Sequence, residues 1–103
     1  MEHAEMKEIF LSKLSDEIKS KLLPEHFDIL DETIENIIEG RTNINGKAPA
    51  TANEIFIVIG YSLVTGIQAF EGIKKAAVKL LKESKEKTIV NINYRGKTYT
   101  YVN

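Results

Sequence analysis

The stretch Glu54 to Leu81, EIFIVIGYSLVTGIQAFEGIKKAAVKLL, decides how the rest of the chain is read. Phe56, Ile59, Leu63, Gly66, Phe70, Ile73, Ala77 and Leu80 recur at spacings of 3, 4, 3, 4, 3, 4 and 3. That repeat is the apolar seam of a helix, and unbroken it predicts one long helix over 54–81. The 16 residues from Ile55 to Phe70 carry no charge. From Glu71 the pattern becomes amphipathic, with Lys74, Lys75, Lys79 and Lys82 set outward from Ile73, Ala77, Leu80 and Leu81. The β-branched run Ile55 to Ile59, closed by Gly60, also has strand propensity; the constant phase of the repeat favours helix.

Working outward, Arg41 to Asn53 (RTNINGKAPATAN) is turn chemistry throughout, so a mobile connecting loop is expected, with a tiny hairpin around Asn45-Gly46 as the alternative. Asn53 is placed to cap the helix that follows. Before the loop, Phe27, Leu30, Ile34, Ile37 and Ile38 form an apolar stripe on a helix from Pro24 to Glu39, closed by Gly40. Its other positions are acidic. Met6, Ile9, Phe10 and Leu14 mark a first amphipathic helix, and Ser15 caps a short turn that ends before Pro24. At the other end, residues 88–94 and 97–103 flank Arg95-Gly96, a two-residue hairpin loop. That register pairs Ile92 with Tyr99 and Val90 with Tyr101 on an apolar face expected to lie on the central helix. A lone hairpin is marginally stable and has open edges, so something must cover or extend it.

The fold class is therefore α+β: N-terminal helices, a long central apolar helix and a C-terminal β-hairpin packed on it, in one domain of 103 residues. The 43% hydrophobic and 28% charged residues suit a globular protein. No cysteine means no disulfide, thiolate or cysteine zinc site, and the N-terminus lacks a signal-peptide pattern, so a cytoplasmic location is expected. A membrane span is disfavoured because the uncharged run is short and contains Gly, Gln, Ser and Thr. The net charge of −1 divides into −5 over residues 1–53 and +4 over 54–103. Either the two halves attract each other within the fold, or the basic half meets an acidic partner.

His3 and His26 have no ligands at metal spacing, the glycines match no phosphate loop, and Ser62 makes no nucleophile elbow. A non-enzyme with no cofactor is expected. Gly66, Ala69, Gly72 and Ala76 form a stripe where another backbone can approach closely. Gly66, Ala69 and Gly72 of that stripe, with Ile55, Phe56, Ile59, Leu63 and Phe70, and the hairpin edge beside them, are the expected surface for self-association or partner binding. Lys74, Lys75, Lys79, Lys82, Arg95 and Lys97, with Tyr94, Tyr99 and Tyr101 as stacking platforms, are the alternative: contacts to nucleic acid. Residues 54–103 resemble the effector-associated domains of bacterial conflict systems. The likeness lies in a Gly/Ala-dotted apolar helix, a basic segment and a short hairpin, here IVNINYRGKTYTYV. It implies an adaptor or assembly role in a defence or signalling system, and it does not extend to residues 1–53.

Overall fold

A computed structural model describes residues 2–67 and 71–103. The elements run α1 (His3–Ser12), α2 (Asp16–Ser20), α3 (Pro24–Ile38), β1 (Asn43–Ile44), α4 (Ala52–Ile67), α5 (Glu71–Glu83), β2 (Ile89–Tyr94) and β3 (Lys97–Val102). The N-terminal boundaries follow local chemistry. The Ser15 hydroxyl accepts the Ile18 N–H at 3.2 Å and starts α2. Leu23 is extended before Pro24, and its N–H donates to His26 Nδ1 at 2.8 Å. At the far end of α3, Gly40 takes φ +81°. That lets the Gly40 N–H reach the Ile37 carbonyl and the Arg41 N–H the Asn36 carbonyl, a Schellman closure.

The single helix expected over 54–81 is instead two, α4 and α5, lying antiparallel against each other. A Cβ built on Gly60 would stand 3.0 Å from the Ala77 Cβ and 3.5 Å from Ile73 Cγ2. In a straight helix residues 60 and 77 would be about 25 Å apart. The reason is size. A 28-residue helix would run about 42 Å, whereas the longest dimension of this fold is 33 Å. The apolar repeat persists because Phe56, Ile59, Leu63, Ile73 and Ala77 all enter the same core, from two helices rather than one. Leu80 is half-buried, and Phe70 lies outside the described residues. The cap of α4 is also not Asn53. Thr51 Oγ1 accepts the Glu54 N–H at 3.1 Å, while Glu54 Oε1 accepts the N–H groups of Thr51 and Ala50 at 3.1 and 3.0 Å. This is a capping box. Asn53 accepts a bond from Lys13 Nζ instead.

α4 is the axle of the core. Every residue from Ile55 to Gly60 is buried, as are Ser62 and Leu63. Ile57, Gly60 and Val64 face α5, near Leu80, Ala77 and Lys74 respectively. Ser62 and Gly66 face α3 around Ile29. At 100° per residue these two groups lie about half a turn apart, so α3 and α5 flank α4 on opposite sides. α1 covers a third side, with Phe10 stacked on Phe56 at 5.2 Å between ring centroids. β2 closes the fourth through Val90 and Ile92, both at 1% exposure or less.

The sheet is antiparallel in the order β1-β2-β3. The hairpin register is the expected one, with Ile92 opposite Tyr99 and Val90 opposite Tyr101. Arg95 and Gly96 have φ +50° and +82°, so the right-handed strand twist is met by a type I′ turn. Rather than a mobile loop, residues 41–53 contain a strand, and the tiny hairpin is the alternative that holds. Asn45 and Gly46 take φ +53° and +75°, Ile44 bridges to Lys47, and Asn43 and Ile44 pair with Asn91 and Val90. Side chains reinforce that seam: Asn45 Oδ1 accepts the Ile89 N–H at 2.8 Å and Thr42 Oγ1 the Asn93 N–H at 3.0 Å. Buried Asn36 ties α3 to the same strand, donating to the Asn93 carbonyl while its Oδ1 accepts two bonds from Arg41.

The glycines separate by what they touch. Gly60 meets a Cβ on a packed helix, whereas a Cβ at Gly72 would meet the outer part of one side chain, Ile18 Cδ1 at 2.9 Å and Cγ1 at 3.5 Å. Gly60→Val is expected to cost about 2 kcal/mol by overpacking, and Gly72→Ala to gain about 0.5 to 1 kcal/mol from helix propensity and lost unfolded-state freedom. Urea denaturation at 25 °C measures both; equal effects at the two sites would refute the close approach of α4 and α5.

Candidate interaction surface

The structure places the expected self-association residues inside the chain. Ile55, Phe56, Ile59 and Leu63 are at most 5% exposed, covered by elements of the same molecule. They offer no surface to a partner. Gly66 packs on Ile29 and Tyr94, and Gly72 on Ile18. Gly66 and Gly72 therefore serve separate contacts within one chain. Ala69 and Phe70 lie outside the described residues. From Ile55 to Leu63 the uncharged run needed cover, and other elements of the same chain supply it.

The cations behave oppositely. Lys74, Lys75, Lys79 and Lys82 are exposed along α5, and Arg95 and Lys97 are exposed at the hairpin turn. Among the described residues none of them is in an ion pair. The pairs present lie in the first half of the chain: Lys7 with Asp31, Lys19 with Asp16, Lys21 with Glu17 and Arg41 with Glu39. The expected attraction between halves is thus not realised as contacts, because α4 stands between acidic α3 and basic α5. Arg95 lies over the Tyr94 ring at 5.1 Å, which positions the guanidinium without neutralising it.

Beside these cations runs an open strand edge. With a two-residue turn, Tyr94–Lys97, Ile92–Tyr99 and Val90–Tyr101 are the hydrogen-bonded pairs of the ladder. Thr98, Thr100 and Val102 therefore direct their N–H and C=O groups away from β2. Among the described residues no strand meets them. Tyr99, expected to pack inward, is 38% exposed, and Val102 is 50% exposed. α4 lies over β2 and touches β3 at Tyr101. That ring stacks obliquely on Tyr61 at 4.6 Å, and its hydroxyl bonds Thr65 Oγ1 at 2.8 Å. Burial, then the neighbouring Tyr101, push the Tyr61 phenol up, so it stays neutral. Val64, Thr65, Glu71, Lys74, Tyr99 and Tyr101 line a recess of about 550 Å³ along this edge. The sequence marked the hairpin edges as a feature; which edge stays open was hidden until Asn43-Ile44 took the other.

The histidines are structural. His26 is buried and caps α3. His3 bridges α1 to α3, with Nε2 3.1 Å from Asp31 and Nδ1 3.2 Å from Glu35. Among the described residues no group of three or more side chains converges as a metal site, and no helix is long and apolar enough to cross a membrane. Comparison with protein-family models, curated proteins and solved structures gave no match, so the reading of this surface rests on its geometry.

The His3 bridge gives a pH signature. The Asp31 hydrogen bond, helped by Glu35, raises the His3 pKa above 6.5. A group raised on folding stabilises the protein fully below its unfolded pKa and loses that contribution as pH rises through the folded value. His3→Gln should therefore lower the urea midpoint at pH 5.5 and have less effect at pH 8.5; a pH-independent effect would show that the imidazolium is not the bridge.

Proposed function

We propose that this chain is a non-enzymatic interaction module that docks a partner protein by strand addition to the outer edge of β3, with the α5 lysines selecting an acidic partner. The observation that carries this reading is the coincidence of two unsatisfied features on one side. The outward N–H and C=O groups of Thr98, Thr100 and Val102 adjoin a recess shared by exposed Tyr99 and Lys74. Main-chain bonding to an edge supplies affinity, and neighbouring side chains supply selectivity. Charges without internal partners serve orientation and encounter rate. The resemblance of residues 54–103 to effector-associated domains supports a cytoplasmic adaptor in a bacterial defence or signalling system; lysines stand here where that group carries arginines.

Proline separates docking from folding. The Thr98 N–H faces outward and its side chain makes no hydrogen bond among the described residues, so Thr98→Pro leaves the β2–β3 ladder intact. A photo-crosslinking residue at Val102 in living cells is expected to trap a protein, and Thr98→Pro to reduce that product at least several-fold at unchanged circular dichroism. Trapping no greater than from the same residue at Glu17 on α2 would overturn the reading.

Nucleic-acid binding is the second reading, favoured by exposed Tyr99 beside Lys74 and by cations without ion pairs. It requires a mobility shift with DNA or RNA that weakens by roughly 0.9 log units per log salt for each duplex phosphate contacted. No shift at about 20 mM salt removes it.

A further inference from the structure

We infer that copies of this chain join head to tail, the lysine face of α5 in one copy docking on the acidic face of α3 in the next. This rests on the reading of the chain as an interaction module and names a second copy as a partner. On α3, Glu25, Asp28, Glu32, Glu35 and Glu39 recur at spacings of 3, 4, 3 and 4, and all are exposed. That is a straight acidic stripe along one helix face. Glu25, Asp28 and Glu32 have no ion pair among the described residues, while Glu35 and Glu39 meet His3 and Arg41. On α5, Lys75, Lys79 and Lys82 recur at 4 and 3, with Lys74 alongside, again exposed and without ion pairs among the described residues. The stripes share one repeat and lie on helices of similar length, 15 and 13 residues. Two such helices set side by side bring opposite charges into register, as flanking charges do in coiled coils.

Each stripe also has an apolar component. Ile38, 52% exposed, adjoins Glu35 on α3. Val78 sits among Lys74, Lys75, Lys79 and Lys82, and a shallow recess of about 440 Å³ is lined by these five with Glu71 and Glu83 at the two ends of the helix, leaving lysines in the majority. An apolar centre with a charged rim is the ordinary anatomy of a protein contact. A net charge of −1 means that whole copies do not repel one another. Because α3 and α5 lie on opposite sides of α4, a chain cannot join its own two faces. Docking one copy uses one face and leaves the other open. Such a heterologous contact does not stop at a dimer; it extends to filaments or rings.

The experiment uses the intact chain and two neutralised variants, Glu25→Gln/Asp28→Asn/Glu32→Gln and Lys75→Gln/Lys79→Gln/Lys82→Gln, in sedimentation velocity. Exposed ion pairs are individually weak, so protein at about 0.5 mM in about 20 mM salt is the informative condition. The native chain is expected to exceed twice its 11.6 kDa mass, to grow with concentration, and to return to monomer at about 0.5 M salt. Each variant alone is expected to be monomeric. Their equimolar mixture is expected to stop at two chains, because only one intact face of each kind remains. A native chain that stays monomeric, variants that assemble alone, or a mixture that stays monomeric while the native chain assembles would each overturn the inference. Assembly abolished by Thr98→Pro but unaffected by either neutralised variant would also overturn it, while leaving strand addition at β3 standing.

Discussion

A helix with no solvent face has to be enclosed, and α4 is such a helix over the six residues Ile55 to Gly60. Each buried branched or aromatic side chain there contributes about 1.5 to 3 kcal/mol only if it leaves water. A chain of 103 residues has little material with which to surround a helix. It does so by setting α1, α3, α5 and β2 around the one axis. Gly60 is where that economy is tightest. The absence of a side chain lets α5 approach until the Ala77 methyl fills the space a Cβ would need. Elsewhere α5 is ordinary, apolar inward and lysine outward.

Much of this was legible. Pro24, Ser15, Gly40 and Arg95-Gly96 set boundaries through local geometry, and local geometry is what a linear pattern encodes. The hairpin register followed from the two-residue turn for the same reason. What failed was long-range. Nothing in the seven-residue repeat distinguishes one helix from two that share a core, because both bury the same positions; overall size makes that distinction. The strand at Asn43-Ile44 was masked by its turn-rich setting, since two residues pair only when β2 is already there to receive them. Thr51-Ala-Asn-Glu54, by contrast, was a readable capping box that Asn53 obscured. The candidate surface was legible as composition, in its lysines and hairpin edge. Of the apolar residues expected to need a partner, Ile55, Phe56, Ile59 and Leu63 find their cover within the chain.

The distribution of charge follows from the same enclosure. With α4 between them, α3 and α5 cannot neutralise each other, and the acidic face of one and the basic face of the other lie on opposite flanks of the molecule. The ion pairs that do form bind near neighbours or tie α1 to α3. Polar groups that must be buried are handled locally: Asn36 satisfies both ends of its amide with Arg41 and the Asn93 carbonyl, and so fixes α3 on the sheet.

β2 lies between β1 and β3, and its two neighbours come from different halves of the chain. The middle of the only sheet among the described residues is thus made by a segment that follows α3, α4 and α5 in the chain. Without it, β1 has no ladder, Asn36 no carbonyl to hold, and one side of α4 no cover. The two halves suggested by charge and by the hairpin unit are therefore not independent modules: the first half finishes folding only when β2 is present, and the contact that completes it spans more than 45 positions of chain.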